Sequence, residues 1–206
     1  MAMKFILASA SPRRRELLKA IIPEFECTVP DFDESSIEIA DAKQRTMVLS
    51  REKCKAAAEC TDRNAVIISS DTVVDLDGVI LEKPKDREEA YSMVKSLSDN
   101  VHRVHTAVSV YCRGIIYSFV DTTEVYVDFI DDETIKAYVL TDEPYDKAGG
   151  YAIQGFMSGY ISKIHGNYHT VVGLPVARLN NLLKNIKAFL NIYEKLAYII
   201  AKQNIL

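Results

Sequence analysis

Residues 65–74 read AVIISSDTVV, and this stretch decides the fold class. Its first four residues are apolar and mostly β-branched, which predicts a strand buried on both faces of a sheet. Ser69 to Thr72 then predict the carboxyl end of that strand, where open α/β sheets place their ligand crevices. Asp71 is therefore a candidate site residue that holds magnesium or accepts a proton from water. The alternative is that Asp71 only caps a turn with Thr72.

Strand and helix patterns alternate on both sides of this stretch. Upstream, the sequence predicts a strand at 5–8, a helix at 13–22, a strand at about 25–29 and a helix at about 44–60. Downstream, it predicts a hairpin turning at 77–78, a helix at 86–97, two long antiparallel strands at 101–111 and 115–127, and a helix at 131–140. Glycines interrupt 149–173, and a last helix is expected at about 182–203. The alternation predicts an α/β fold with a mixed sheet and a hairpin-rich second lobe.

Composition excludes several classes of protein. The 206 residues are 48% apolar and carry 25 basic and 29 acidic side chains, a formal charge of −4. Disordered chains combine low hydrophobicity with high net charge, and nucleic-acid binders are usually basic, whereas the pI here is about 5.6. The apolar run at residues 5–8 is too short for a signal peptide, so we expect none, and no apolar window reaches about 18 residues. We therefore expect a cytoplasmic protein with no nucleic-acid or membrane partner. Its four cysteines lack metal-ligand spacing and are expected to be reduced and mostly buried.

A candidate anion site follows the first predicted strand, where residues 9–15 read SASPRRR. Ser11 suits a helix N-cap, and Pro12 suits the first helical position. The N–H groups and the dipole at a helix N-terminus attract phosphate, and the Arg13 and Arg14 guanidinium groups add paired hydrogen bonds to phosphate oxygens. The alternative is a solvated basic turn.

Lys53 and Lys83 are each more simply explained as solvated lysines. Together with Arg13 and Arg14, they would supply the positive charge that a triphosphate needs in an otherwise acidic protein. Glu34 is a candidate second metal carboxylate, although most acidic loops only favour solubility. The P-loop, dinucleotide-binding and nucleophile-elbow motifs do not occur, which argues against those enzyme classes.

Six motifs, taken in order, resemble the Maf family of nucleotide pyrophosphatases over about residues 5–178. They are Leu7–Arg14, Arg51–Lys53, Ser70–Val74, Glu82–Pro84, Asp146–Gly155 and Val172–Pro175. The resemblance implies a two-lobed α/β fold with a central cleft, similar to the inosine triphosphate pyrophosphatase architecture, as a single domain over 1–206. It also implies hydrolysis of a nucleoside triphosphate to the monophosphate and pyrophosphate with a divalent cation, Mg²⁺ or Mn²⁺.

The resemblance also implies roles for individual residues. Asp71 would be catalytic, as general base or as a metal ligand beside Glu34. The triphosphate would be bound by Ser9, Arg13, Arg14, Lys53 and Lys83. The family positions that correspond to Arg13, Thr72 and Gln154 are linked to base choice, and this combination is similar to the branch that acts on dTTP and UTP.

Two departures from the family pattern leave these charged groups in place. The family usually has Gly-Ala where this chain has Ser69-Ser70, and commonly Ala-Tyr-Gly at 150–152. Two alternatives stay open: a nucleotide-sensing regulator of cell division without turnover, and a purine pyrophosphatase acting on ITP. A homodimer with contacts beyond about Leu182 is a further hypothesis.

Overall fold

The computed structural model describes residues 3–62 and 64–203 and confirms an α/β fold. Its strands and helices, in chain order, are β1 (Phe5–Ala8), α1 (Pro12–Lys19), β2 (Glu26–Thr28), α2 (Ala42–Glu59), β3 (Val66–Leu76), β4 (Val79–Leu81), α3 (Arg87–Leu97), β5 (Asn100–Cys112), β6 (Ile115–Val127), α4 (Asp132–Tyr138), β7 (Ile161–His165), α5 (Tyr168–Val172) and α6 (Val176–Gln203). The chain divides into two compact units after Pro175. Helix α6 starts at Val176, earlier than the start expected at about 182, because the apolar stripe marks only one face of a helix and not its first residue.

The seven strands form one mixed sheet in the order β2-β1-β3-β5-β6-β7, with β4 also paired to β3. β1 is parallel to both β2 and β3, and the remaining pairs are antiparallel. The long β5–β6 ribbon predicted from sequence is present. Arg113 and Gly114 both adopt positive φ in its turn, as two-residue hairpins with native twist require.

The predicted end of the central strand at Ser69 is wrong, because β3 runs on through Asp71 to Leu76. One edge of β3 is nevertheless interrupted. On that edge, β1 pairs with Val66–Ser69 and β4 pairs with Val74–Leu76, while β5 follows the opposite edge. Within the described residues, Ser70–Val73 has no strand partner on the interrupted edge. The expected crevice therefore opens at a gap in strand pairing instead of at a strand end.

Apolar packing on the two faces of the sheet fixes this edge in place. Helix α2 packs on one face, where Cys54 and Ala57 contact Ile67 and the end of β1. Helices α3 and α4 belong to a larger core that contains Val74. Successive side chains of a strand point to opposite faces, so Asp71 shares the α2 face with Ile67 and Thr72 faces the other way.

The cysteines and the helix lengths bear on two further expectations from the sequence. Cys27, Cys54, Cys60 and Cys112 are free thiols, but only Cys54 and Cys112 are buried. No helix in the described part of the chain is long and apolar enough to cross a bilayer. The homodimer and the cytoplasmic location stay predictions.

Candidate active site

A cavity of about 480 Å³ opens at the interrupted edge of β3. Of the predicted site residues, its lining brings together Arg13, Arg14, Glu34, Lys53, Asp71, Thr72, Lys83 and Gln154. Among the described residues, six cations and four carboxylates line the cavity. The cations are Arg13, Arg14, Arg45, Lys53, Lys83 and Lys147, and the carboxylates are Glu34, Asp71, Glu82 and Asp146. The cavity is thus cationic in a protein of net negative charge.

Lys53 joins the two predicted metal carboxylates. Its side chain extends from α2 and is 13% exposed, and its Nζ lies 2.5 Å from Asp71 Oδ1 and 2.9 Å from Glu34 Oε1. Asp71 is itself only 8% exposed at the side chain. Helix α2 is held at its start by Asp41, whose carboxylate accepts the Gln44 N–H at 2.7 Å. One ammonium therefore holds two carboxylates together at the gap in the sheet.

The carboxylates suit a metal that is shared with the substrate. In the part of the chain that the structure describes, no group of three or more His, Cys, Asp or Glu side chains is arranged to hold a metal ion. Mg²⁺ is commonly bound by one or two carboxylates together with substrate phosphates and water, not by an all-protein cage. Asp71 and Glu34 fit that donor set.

Three hydrogen bonds fix the guanidinium of Arg14 in the cavity wall. Ser11 caps α1 as predicted, and its Oγ accepts the Arg14 N–H at 3.4 Å. The guanidinium donates from Nε to the Gly173 carbonyl oxygen and from Nη2 to Thr72 Oγ1, both at 3.0 Å, and from Nη1 to Ser9 Oγ at 3.5 Å. The Ser9 hydroxyl oxygen thus accepts hydrogen bonds from within the turn, since it also accepts the Ser11 N–H at 3.2 Å.

Opposing effects act on the charge of Arg14. Burial lowers the pKa of its guanidinium below the ordinary value, and the carboxylates of Asp71 and Glu34 raise it. Bringing a further anion to the guanidinium would favour the charged form in the same way. The arginine is thus a partly desolvated cation that benefits from an anionic ligand.

Four charged residues in the cavity lining were missed by the sequence analysis. Arg45 of α2 forms an ion pair with Glu82, and Asp146 pairs with Lys147 and lies 3.9 Å from the Arg13 guanidinium. Glu82, Asp146 and Lys147 lie within the family motifs at 82–84 and 146–155, so the sequence did carry a signal for them. Arg45 gave no signal, because a charged residue on an amphipathic helix is ordinary.

Gln154 is exposed on a turn that Glu143 holds. The Glu143 carboxylate accepts the Phe156 N–H at 3.2 and 3.3 Å and lies 3.2 Å from the Tyr138 hydroxyl, whose one proton it shares with the Gly150 carbonyl oxygen at 3.1 Å. A Cβ at Gly155 would lie 2.0 Å from Glu143 Oε1. Glycine at this position therefore allows the carboxylate to reach the turn beside Gln154.

Sequence similarity to known proteins places the chain in a known family. The sequence model described as "Maf-like protein" matches residues 4–186, and the chain belongs to this family. A "dTTP/UTP pyrophosphatase" of Vibrio cholerae is 45% identical over 180 residues, covering 87% of this chain and 96% of the relative. Proteins of the same name from Caldanaerobacter subterraneus and Escherichia coli are 47% and 41% identical, covering 88% of this chain in each case and 88% and 92% of those relatives.

Among solved structures, the Staphylococcus aureus Ham1 protein superposes with a TM-score of 0.49 at 15% sequence identity, over 88% of this chain and 98% of that chain.

Proposed function

We propose that this protein is a nucleoside triphosphate pyrophosphatase that hydrolyses dTTP and UTP to the nucleoside monophosphate and pyrophosphate. The observation that carries the proposal is the Lys53 ammonium between Asp71 and Glu34, inside a cavity lined by five further cations. Relatives named "dTTP/UTP pyrophosphatase" at 41–47% identity support the choice of substrate.

The cations account for binding and for stabilisation of the leaving group. Water attacks the α-phosphorus, the bond from that phosphorus to the oxygen bridging to the β-phosphorus breaks, and the electron pair leaves with pyrophosphate. Negative charge grows on the pyrophosphate as this bond breaks. Fixed positive groups such as Arg14, Lys53 and Lys83 stabilise that charge without reorganising.

Asp71 has two compatible roles in this scheme, as base for the attacking water or as a metal ligand. We include a divalent cation, Mg²⁺ or Mn²⁺, in the proposal, held by Asp71 and Glu34. Such a cation would neutralise phosphate charge and make pyrophosphate a better leaving group. Lys53 keeps both carboxylates at the position where either role is performed.

Gln154 is proposed to recognise the base. Uracil and thymine present an acceptor, a donor and an acceptor in sequence along the imide edge, and a side-chain amide offers a complementary donor and acceptor. A site built to make these hydrogen bonds rejects a base with a different pattern, because polar groups would be left unpaired.

The test is release of pyrophosphate and monophosphate from dTTP, UTP, CTP, ITP and 7-methyl-GTP with Mg²⁺ or Mn²⁺. We expect turnover of dTTP and UTP, and a decrease in kcat of at least about 10²-fold in Asp71→Asn, the usual size of a lost acid–base contribution. Asp142→Asn, at an exposed aspartate, is the matched control.

Each alternative gives a different result in the same panel. Tight binding of nucleotides without turnover would replace the proposal with a nucleotide-sensing regulator. Turnover of ITP in preference to the pyrimidine nucleotides would replace it with a purine pyrophosphatase.

A further inference from the structure

The hydroxyl proton of Thr72 is already committed inside the protein. Thr106 Oγ1 donates to the carbonyl oxygen of Thr170 at 2.7 Å and lies 3.0 Å from Thr72 Oγ1. A threonine hydroxyl has one proton, so Thr106 cannot donate to both oxygens and Thr72 must be the donor in their contact. Thr72 Oγ1 in turn accepts from Arg14 Nη2 at 3.0 Å. Thr72 therefore has no proton to offer a ligand in this arrangement.

A second contact fixes the same guanidinium from another side. The Gly173 carbonyl oxygen accepts from Arg14 Nε at 3.0 Å and lies 2.9 Å from the Ser70 hydroxyl, whose one proton it shares with the Ala107 carbonyl oxygen at 3.0 Å. Gly173 has φ of +116°, and a Cβ there would lie 3.3 Å from Thr72 Oγ1 and 3.4 Å from Arg14 Nε. Glycine thus lets its backbone approach both side chains.

These contacts fix the orientation of Arg14 within its plane. Nε and Nη2 each have one backbone or side-chain acceptor at 3.0 Å, whereas Nη1 has only the longer contact to Ser9 among the bonds that Arg14 makes to described residues. A guanidinium held in this way loses less rotamer freedom when it binds an anion than a free side chain would.

We propose that Thr72 and Thr106 are positioning residues that orient Arg14 for the triphosphate, and that Thr72 does not recognise the base by donating a hydrogen bond. The inference rests on the proposed function, since it takes a nucleoside triphosphate as the ligand. It reassigns Thr72 from base choice, which the family resemblance implies, to phosphate binding through Arg14.

Thr106→Val tests the proposal, because Thr106 is fully buried and outside the cavity lining, and valine keeps its shape. We expect the Kd for inorganic tripolyphosphate, which has no base, to rise about fivefold, because loss of the neutral Thr106–Thr72 hydrogen bond lets the Thr72 hydroxyl turn away from Arg14. KM for UTP and CTP should rise by the same factor, which leaves the ratio of their kcat/KM values unchanged. Thr106→Ser keeps the hydroxyl and should restore binding.

Thr46→Val is the matched control. Thr46 is also fully buried, and its hydroxyl donates to the Ala42 carbonyl oxygen at 2.6 Å within α2, without a bond to Arg14 or Thr72. If Thr106→Val does not fold, Thr72→Val is used instead, with Thr72→Ser as its rescue, and the same results are expected.

Unchanged tripolyphosphate binding in the folded valine variant would overturn the proposal, as would a wild-type protein that does not bind tripolyphosphate. A changed UTP-to-CTP ratio with unchanged tripolyphosphate binding would return Thr72 to base recognition. Failure of the wild type to hydrolyse dTTP and UTP would instead overturn the proposed function, since the tripolyphosphate comparison requires no turnover.

Discussion

Lys53 is the residue on which the electrostatics of the site depend, because its ammonium contacts both Asp71 and Glu34. Lys53→Met would leave the nearly buried Asp71 carboxylate without its cation. Breaking a buried ion pair by removing one partner costs about 3–5 kcal/mol, and we expect the free energy of unfolding in urea to fall by about 3 kcal/mol.

The double variant Lys53→Met, Asp71→Asn is the control for this prediction. It removes the unpaired charge, so it should be more stable than Lys53→Met alone. A double variant no more stable than Lys53→Met would show that the two groups are not coupled in the folded protein.

Gln154 is the residue with which the proposed base preference is tested. Gln154→Ala should raise KM for UTP about tenfold and narrow the advantage of UTP over CTP, because amide pairing to the imide edge is lost. Binding of tripolyphosphate should not change. A UTP-to-CTP ratio equal to that of the wild type would remove Gln154 from base recognition.

At the level of elements, the turn that carries Gln154 depends on Glu143. In Gly155→Ala the new Cβ would meet the flexible end of Glu143, so the carboxylate moves away and its bonds to Phe156 N–H and the Tyr138 hydroxyl are lost. We expect a loss of about 1–2 kcal/mol in stability and a several-fold increase in KM for UTP.

Gly159→Ala is the matched control for this element. It lies in the same glycine-rich segment, and a Cβ there would meet nothing within 4 Å. Its unfolding midpoint and its KM for UTP should equal those of the wild type. Equal effects of Gly155→Ala and Gly159→Ala would mean that Glu143 does not hold the turn.

Most elements were predictable because their signals are local. Asp41, Asp86 and Asp131 cap α2, α3 and α4 through their side chains, as short polar residues before apolar periodic segments do. Asp77 and Gly78 adopt positive φ in the predicted β3–β4 hairpin. The continuation of β3 through polar residues was missed, because Ser69 and Ser70 resemble the end of a strand until their partners are known.

At the level of the whole molecule, His102 makes stability depend on pH. Burial lowers its pKa from 6.5 to about 4, so the unfolded chain binds a proton at higher pH than the folded protein. The contribution of His102 to the free energy of unfolding is therefore complete above about pH 6.5. It is lost as pH falls towards 4, by up to about 1.4 kcal/mol per pH unit.

His102→Gln removes this titration while keeping a polar group that can face the Tyr151 hydroxyl, now 2.6 Å from His102 Nε2. Urea unfolding at pH 7 and pH 5 should show a smaller decrease for the variant than for the wild type. Equal decreases would mean that His102 does not contribute to the pH dependence.

The sequence by itself determined the α/β class, the caps and hairpins, and the family, because periodicity, turn chemistry and short motifs depend on residues that are near one another in the chain. Only the tertiary structure decided that Asp71 lies in the middle of β3, at a gap in strand pairing, with Lys53 and Glu34 beside it. That gap exists because β1 ends opposite Ser69 and antiparallel β4 ends opposite Val74. The local turn at Asp77 and Gly78 sets the register of β4 on β3, whereas β1 and β3 are distant in the chain and their register depends on tertiary contacts.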